Sequence, residues 1–507
     1  MVHRGAVYDL GQRLRRRMPE AAILLLLLLL MPPTGFLFDN EELVFASALH
    51  AVSNENAPAS SAVFDASRHR VLNEFLLRHL VAWVGFGKAQ VVTRGVAALG
   101  YAVLLAGLFR GLRLGAIDGV LVLAVFAVLR QTIFGGEWLF QGYEGKVAAY
   151  CFVLGGFVAG VVHGRCLVAT ALFVLATYFH FLVGTFWFLA WLGLELTQHP
   201  RKVRRIVLAA AFFSLATAPF FAMIWWDRAS GAVALAARPG EPSPDQIYSF
   251  IRNPHHVAPF VTWHGFVSAW LPGYFLGAAM LACAVVVARL ADSARLRRMA
   301  AWLSGLIGYL FLALALSYLD RRTGVLGKFY LFRPASLVLL IWLAVMLAFL
   351  NGLGWRHFAM VKSLAVAFVL PAVMLGAALH LRNELAFHAT YDPEKRELAR
   401  FLEQHAAPDS VVLVDPALEW LFLDFERVTR RPTLVMRKFV PTNDPQILEW
   451  QRRIEFRNSV FDKGCPQNPE YRFDCLLTSH ERARALSTSC GNIVLATAHV
   501  RLLCRAE

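Results

Sequence analysis

Long apolar stretches separated by short polar turns dominate the chain up to about residue 382. Eleven of them approach the roughly 20 residues that a helix needs to cross the hydrocarbon core of a bilayer. They lie near 20–38, 92–109, 115–134, 146–163, 166–182, 184–197, 206–226, 263–289, 300–319, 335–353 and 362–381. The pattern predicts an α-helical polytopic membrane protein with about eleven transmembrane helices.

Composition excludes an ordinary soluble enzyme. Hydrophobic residues make up 57% of the chain, charged residues make up 17%, and the mean hydropathy is +0.51. Soluble chains have about 45–50% apolar and about 25% charged residues. The net charge of +15 comes from basic residues in short turns between apolar runs, so membrane topology and anionic lipid explain it without a nucleic-acid partner.

Basic residues recur in alternate turns, which sets the predicted orientation. The N-terminal segment carries Arg4, Arg13, Arg15, Arg16 and Arg17, and the other basic turns hold Arg110, Arg113, Arg165, Arg201, Lys202, Arg204, Arg205, Arg289, Arg295, Arg297, Arg298, Arg356 and Lys362. The positive-inside rule places these turns and the N-terminus in the cytoplasm and the C-terminus outside. A secretory signal is the alternative for the first apolar run, but 31–35 has no small-x-small cleavage site, which favours a retained anchor.

From about Asn383 the sequence becomes mixed and polar, which predicts a membrane body at 1–382 and an extracytoplasmic domain at 383–507. Asp392 and Pro393 predict a helix start, as N-cap and first helical residue. Strands are predicted at 410–414, 433–438, 473–478 and 492–498, and helices at 416–424, 443–456 and 479–487. Alternating strands and helices indicate a small α/β layer, with a recognition or lid role because no phosphate loop or nucleophile elbow is present.

Four cysteines lie in this tail, at Cys465, Cys475, Cys490 and Cys504. No Cys-x-x-Cys or His-x-x-x-His spacing accompanies them, so disulfides are favoured over zinc. Disulfides persist in oxidising compartments, which agrees with an outside location. One or two bonds are predicted, and the spacing leaves their pairing open.

Acidic residues begin the first predicted outside segment, in Asp39-Asn40-Glu41-Glu42. One interpretation is a solvated helix start, since acids favour the positive end of a helix dipole. The other is a general base or metal ligand at the membrane surface, where burial raises the pKa of a carboxyl group.

The second outside loop, 134–146, combines glycines, aromatic residues and acids. Trp138 alone is typical of a membrane interface. Glu137 and Glu144 are not needed for a plain connection, and carboxylates beside aromatic faces favour a sugar site.

Histidines occur in two further outside segments. His180 ends the fifth predicted span, and Arg252, His255 and His256 precede the eighth. A packed core histidine is one interpretation of His180. A ligand or catalytic role is the alternative for His180. In the cluster with Arg252, either His255 or His256 could bind phosphate or relay a proton.

Cations between predicted spans nine and ten run against the positive-inside trend. Arg322, Lys328 and Arg333 lie in this short segment. Snorkelling to lipid explains them as ordinary anchors. A lipid-linked phosphate is the alternative, because a guanidinium forks onto phosphate oxygens and lysine adds a point charge.

These acids, cations and the outside tail resemble the GT-C superfamily of integral-membrane glycosyltransferases. The chain is also similar to a group of bacterial polytopic proteins that carry an Arg-x-Pro-His-His segment, a Phe-Arg-Pro segment and a tail like Arg431-Pro432, Lys438 and Glu449-Trp450. The first resemblance implies a polyprenyl-phosphate sugar donor, an envelope glycan, lipid or protein as acceptor, and a divalent metal such as Mg²⁺ or Mn²⁺. It also implies a multi-pass protein of the bacterial inner membrane with a periplasmic C-terminal domain.

Residue roles follow from the same resemblance. Asp39 or Glu41 would deprotonate the acceptor, and Glu137 would support a metal or the acceptor. Lys328 and Arg333, with Arg322, would hold the donor phosphate. The remaining candidates would bind substrate: Glu42, Trp138, Glu144, His180, Arg252, His255 and His256.

Two other functions stay open. A transporter or lipid flippase should place ionisable residues near the middle of its spans, whereas Asp118, Arg130 and Glu195 fall near predicted ends. A non-catalytic envelope scaffold should tolerate replacement of the outside acids. The oligomeric state does not follow from the sequence.

Overall fold

Apolar helices make up most of the chain. The structure, a computed structural model, describes residues 19–37, 40–52, 70–135, 137–198, 203–230, 238–354, 357–441 and 443–505. Its main helices before the sheet are α1 (Pro19–Leu30), α2 (Asn40–Val52), α3 (Val71–Val84), α4 (Phe86–Gly111), α5 (Ala116–Val128), α6 (Gly145–Val162), α7 (Cys166–Phe179), α8 (Phe181–Gln198), α9 (Val203–Ser230), α10 (Trp263–Leu290), α11 (Ala294–Leu319), α12 (Ala335–Gly352) and α13 (Phe358–His405).

The C-terminal part contains strands and further helices. They are β1 (Val412–Val414), α14 (Phe425–Thr429), α15 (Asp444–Lys463), β2 (Cys475–Ser479), α16 (His480–Cys490), β3 (Asn492–Ala496) and β4 (Val500–Cys504). The predicted fold class, a polytopic helical membrane protein with a small C-terminal α/β part, is confirmed.

Every predicted span overlaps an observed apolar helix. Seven of these helices are long and apolar enough to cross a membrane: α4, α6, α9, α10, α11, α12 and α13. The other four, α1, α5, α7 and α8, are apolar but shorter. The number of crossings, about eleven, therefore stays a prediction.

The chain divides into two compact units. The first draws on 1–34, 90–223 and 253–380, and the second draws on 35–89, 224–252 and 381–507. The second unit contains two segments that come before residue 382 in the sequence, 35–89 and 224–252. The domain boundary expected at residue 382 stays a prediction.

Close helix packing in the first unit depends on glycine. A methyl group added at Gly156 of α6 would lie 2.8 Å from the ring of Phe173, and one at Gly160 would lie 2.5 Å from Trp191. Small residues let membrane helices approach in this way. A cluster of aromatic rings fills the space beside α6, with Phe157 in contact with Trp187 and Trp302.

The first unit has two chemically different ends. Basic turns meet at one end, where Arg295 donates to the Gly111 carbonyl at 3.0 Å and Arg110 pairs with Glu20. Val162, at the end of α6, lies against Gly111, and α7 starts four residues later at Cys166. Helix α7 therefore begins at this same end. His180, directly after α7, therefore lies at the opposite end.

A four-stranded sheet organises the second unit, in the order β1-β2-β4-β3. β1 and β2 are parallel, and the other two pairings are antiparallel. Leu398 and Leu402 of α13 pack on one face of this sheet. Val460 of α15 and Leu486 of α16 pack on the other face, so the sheet is covered by helices on both sides.

The helix predicted to begin at Asp392 and Pro393 does not begin there. α13 runs without interruption from Phe358 to His405, with Pro393 in its interior. An interior proline costs about 3 kcal/mol because it removes a backbone donor. The buried side chains of Leu398 and Leu402, one and two turns later, offset that cost by holding the continued helix against the sheet.

Two local predictions in the tail also differ from the structure, and one strand was not predicted. Residues 433–438 form only a single bridge, between Thr433 and Val412, and 416–424 are turns that precede α14. β4 was not predicted, although it pairs with both β2 and β3. These short segments take their conformation from the neighbours they pack against, which local patterns do not report.

The predicted disulfides are present. Cys465 bonds to Cys490, and Cys475 bonds to Cys504. The second bond joins residues that are directly opposite each other on β2 and β4. The remaining cysteines, Cys151, Cys166 and Cys283, are free thiols.

We expect replacement of Cys475 and Cys504 together by serine to destabilise the second unit by about 2–4 kcal/mol, because the bond restricts the unfolded chain. Peptide-resolved hydrogen exchange across 475–504 measures this change, with Cys283→Ser as the control at an exposed free thiol. Alkylation of the denatured, unreduced protein should modify the three free cysteines only. Equal loss of protection in both variants, or modification of further thiols, would contradict the assignment.

Candidate functional site

The loop between α5 and α6 is folded on itself and held by hydrogen bonds to the side chain of Gln131. Gln131 accepts from the amides of Leu139 and Phe140 at 3.1 and 2.6 Å and donates to the Phe140 carbonyl at 2.8 Å. The Phe140 ring packs between Tyr101 and Phe126. This closed loop buries the side chain of Glu137 rather than presenting it to solvent.

Glu137 is held between two cations from distant parts of the chain. Its Oε2 lies 3.0 Å from the Lys146 ammonium, and its Oε1 lies 3.3 Å from Arg333 Nη2. The three side chains are only 6, 9 and 11% exposed in that order. The structure thus brings together the predicted acid of one loop and the predicted cation of another, at the end of the first unit that also holds His180.

Arg333 is fixed by its backbone as well as by its guanidinium. Tyr150 donates to the Arg333 carbonyl at 2.9 Å. The guanidinium lies 4.1 Å from the centre of the Tyr330 ring, and Tyr330 has a positive φ of 48°. A non-glycine residue in this conformation is held there by its surroundings, so the turn before α12 aims Arg333 at Glu137.

The electrostatic setting of Glu137 argues against a role as general base. Burial by itself would raise the pKa of Glu137, but Lys146 and Arg333 reverse that effect and lower it well below its ordinary value. A carboxylate that binds protons so weakly is a poor acceptor near neutral pH. Its physical effect is to hold two cations in fixed positions.

Hydrogen bonds define the proton positions of two histidines in this site. Arg333 Nη1 lies 3.1 Å from His180 Nε2, and since a guanidinium only donates, Nε2 is the acceptor. His256 Nδ1 lies 2.6 Å from the Gly135 carbonyl, so Nδ1 carries a proton. Burial lowers the pKa of His256, although Glu137 opposes that effect. A neutral His256 then has its lone pair on Nε2.

The other predicted residues of this loop have different surroundings. Glu144 accepts from Gln141 at 2.7 Å and lies 3.5 Å from Lys146, so the lysine is shared by two carboxylates. Trp138 is 44% exposed. Nearly half of its surface is thus accessible, in contrast to the buried ion pairs of the same loop.

Lys328 and Arg322 do not share the carboxylate of Glu137, whose ion pairs in the described part of the chain are with Lys146 and Arg333. Lys328 is half-buried on a 3₁₀ turn, Val325–Phe329, and Arg322 is exposed. Asp320 shapes this segment, because its carboxylate accepts from the amides of Val325 and Leu326 at 3.0 and 2.8 Å.

The acidic segment of the first outside loop belongs to the second unit. Asp39 lies outside the described residues. Glu41 and Glu42 start α2 and are almost completely buried. The predicted solvated helix start is therefore wrong for these two side chains.

Glu42 takes part in a buried ion network. Arg427 Nε donates to both of its oxygens at 2.9 and 3.1 Å, and Arg427 also pairs with Asp424, which accepts from Lys395 at 2.7 Å. Burial raises the pKa of Glu42 to about 7, while Arg427 acts in the opposite direction. Burial of the acidic segment thus raises a carboxyl pKa as expected, at Glu42.

The predicted Arg252–His256 cluster is divided between the units. Arg252 belongs to the second unit and donates to the Lys438 carbonyl at 3.1 Å. His255 and His256 belong to the first unit, where their rings lie 3.9 Å apart. His255 is exposed, whereas His256 contacts the Glu137 loop.

The residues around Glu137 do not fit a divalent metal. Its two oxygens face an ammonium and a guanidinium, which would repel a further cation. No group of three or more His, Cys, Asp or Glu side chains among the described residues is arranged to hold a metal. The expected Mg²⁺ or Mn²⁺ therefore stays a prediction, and its other expected ligand, Asp39, lies outside the described residues.

Sequence reasoning missed three residues of the site. Lys146 stands at the boundary between the second outside loop and the following predicted span, and Tyr150 and Ser336 lie within predicted spans. In the structure Lys146 pairs with Glu137, Tyr150 donates to the Arg333 carbonyl, and Ser336 donates to the Glu137 carbonyl. Lysine inside an apolar segment is a usable signal, because such a charge needs a partner. Tyr150 and Ser336 gave no comparable signal.

Comparison with known proteins leaves the function open. Residues 393–456, from within α13 to within α15, match a domain of unknown function, DUF6798. No curated protein matches the chain. Among solved structures, the chain is similar to ArnT from Cupriavidus metallidurans in the apo state and bound to undecaprenyl phosphate, each with 14% identity, a TM-score of 0.41, and coverage of 95% of this chain and 97% of ArnT. Likeness at this level assigns neither a family nor an activity.

Replacement of Arg427 by alanine should destabilise the second unit by about 1–3 kcal/mol, because the buried Glu42 loses both hydrogen bonds from Arg427. The pKa of Glu42 is already raised to about 7, so without the cation its carboxyl group takes up a proton. Glu42→Gln should cost less, since the amide carries no charge into the buried site. Urea unfolding followed by hydrogen exchange of the peptides around 412–429 measures both. Arg400→Ala, at an exposed position on α13, is the control. If it lowered the free energy of unfolding as much as Arg427→Ala does, the stabilising role of the Glu42–Arg427 pair would be contradicted.

Proposed function

We propose that the chain is a membrane glycosyltransferase that moves a sugar from a polyprenyl-phosphate donor to an envelope glycan, lipid or protein at the outer face of the bacterial inner membrane. The observation that supports it is the buried cluster of Glu137, Lys146 and Arg333 at one end of an apolar helical unit. A lipid-linked phosphate needs both an apolar path for its prenyl chain and cations at its headgroup.

Arg333 is the proposed primary contact of the donor phosphate. Its planar guanidinium suits phosphate oxygens, and its side chain retains 11% exposure. Lys146 is shared between Glu137 and Glu144, so its charge is more fully compensated. Lys328 and Arg322, on the same segment as Arg333, would add positive charge along the approach.

Glu137 serves this site as a positioning residue. The two cations are already aligned before any ligand arrives, so little reorganisation is needed when charge develops on the leaving phosphate. Such preorganisation favours the transition state over the ground state, because negative charge on the phosphate grows as the glycosidic bond breaks.

The proposed reaction is a displacement at the anomeric carbon. An acceptor hydroxyl oxygen forms the new bond to that carbon, the bond from carbon to the phosphate oxygen breaks, and polyprenyl phosphate leaves with the electron pair. The hydroxyl proton passes to a base. Within the first unit His256 is the candidate, since its Nδ1 is committed to Gly135 and Nε2 carries the lone pair. The roles of Asp39 and Glu41 as bases remain alternative proposals.

Binding of a polyprenyl phosphate to the purified full chain tests the phosphate site. Arg333→Ala should weaken binding at least about tenfold, since a charge-assisted hydrogen bond is lost. Glu137→Gln should weaken it less, because that change removes a negative charge beside the phosphate. Arg321→Ala, an exposed arginine stacked on Tyr318, is the matched control. Native mass spectrometry reports binding and thermal unfolding reports folding, with Arg333→Lys as the variant that retains the charge.

The opposite order of effects, with Glu137→Gln weakening binding more than Arg333→Ala, would indicate that the carboxylate rather than the guanidinium contacts the ligand. Equal binding of polyprenyl phosphate by the wild type, Arg333→Ala and Arg321→Ala would contradict the proposed phosphate site.

Transfer itself is tested by replacing each proposed base. In cells that carry the chain, Asp39→Asn, Glu41→Gln and His256→Gln are compared with the wild type by mass spectrometry of envelope glycans and lipids. Loss of one modification in a variant that still binds polyprenyl phosphate identifies the base. Unchanged profiles in all three variants and in Arg333→Ala would refute the transferase and favour a scaffold.

A further inference from the structure

A groove opens at the end of the first unit that lies away from Glu137. It has a volume of about 580 Å³ and is formed by the start of α7 and the start of α9. The 14 residues of α7 separate it from His180, which corresponds to roughly 20 Å along the helix axis. The groove is therefore distinct from the candidate site described above.

The walls of this groove are apolar and open outwards. Leu167 and Val168 of α7 are 62 and 48% exposed, and Leu208 of α9 is 55% exposed. α9 is one of the helices long and apolar enough to cross a membrane. Exposed leucine and valine side chains beside such a helix suit contact with acyl chains, so the groove offers an apolar surface next to its cationic rim.

The rim of the groove is cationic. Arg165, Arg204 and Arg205 line it, and Arg205 Nη2 donates to the Gly164 carbonyl at 2.5 Å, which ties the start of α9 to the turn before α7. Neither Arg165 nor Arg204 has a carboxylate partner among the residues that the structure describes. Two of three clustered guanidinium groups thus carry uncompensated positive charge next to the apolar surface.

We propose that this groove is a binding site for an anionic phospholipid. The headgroup phosphate accepts from Arg165 and Arg204, and an acyl chain lies along Leu167 and Leu208. Guanidinium groups favour phosphate oxygens, and basic pockets between membrane helices bind anionic headgroups. A free phosphate would leave the apolar walls unused. The inference does not depend on the proposed transferase activity.

Native mass spectrometry of the full chain, released from vesicles of phosphatidylcholine with a minor fraction of phosphatidylglycerol, tests the site. The wild type should retain phosphatidylglycerol in preference to phosphatidylcholine. The double variant Arg165→Gln/Arg204→Gln should lose this preference, with roughly twentyfold weaker retention, since each arginine near an anionic surface contributes about a fivefold effect. Both side chains are exposed, so folding should be unaffected.

Arg289→Gln/Arg298→Gln is the matched control. It removes the same charge from the exposed Arg289 and the half-buried Arg298 at the α10–α11 turn, next to Arg295 at the same end of the unit. Retention of phosphatidylglycerol by the control supports the groove. Equal loss in both double variants, or no preference in the wild type, would overturn the proposal. Displacement of the lipid by inorganic phosphate at matched ionic strength would overturn it as well, by indicating a simple anion site.

Discussion

The ion pairs of Glu137 are the interaction on which the organisation of the first unit depends. A carboxylate withdrawn from water costs several kcal/mol unless cations compensate it, and here Lys146 and Arg333 do so. Lys146 belongs to the first turn of α6, and Arg333 precedes α12. The requirement to pair one buried charge therefore holds the α5–α6 loop, the start of α6 and the turn before α12 at the same place.

Two buried carboxyl groups show how surroundings set chemical character. Cations on both oxygens of Glu137 lower its pKa, whereas burial raises the pKa of Glu42 to about 7 despite Arg427. Residues of one type thus take different roles. Glu137 stays ionised as the counter-ion that positions the two cations. The pKa of Glu42 is close to neutral pH, so this side chain can exchange its proton.

Charge at the two ends of the first unit is organised in different ways. Near Glu137, acids and cations are interleaved and largely buried, and His180 accepts a hydrogen bond from Arg333. At the other end, Arg165 and Arg204 stand at the edge of an exposed apolar surface. A buried, balanced cluster suits a ligand whose charge changes during a reaction. An open basic rim suits a permanently charged lipid surface.

The sequence alone determined the helical membrane class and the positions of the apolar helices. It also identified the loops that supply Glu137, His180, His256 and Arg333. It also determined that tail cysteines form disulfides. These features follow from composition and from periodicity within 20 residues or so. Only the tertiary structure decided which groups meet. Glu137 and Arg333 are 196 residues apart, the disulfide partners were open among four cysteines, and α13 passes through Pro393 because the sheet holds its later turns. Partner choice depends on distances in space, and local sequence does not encode these distances.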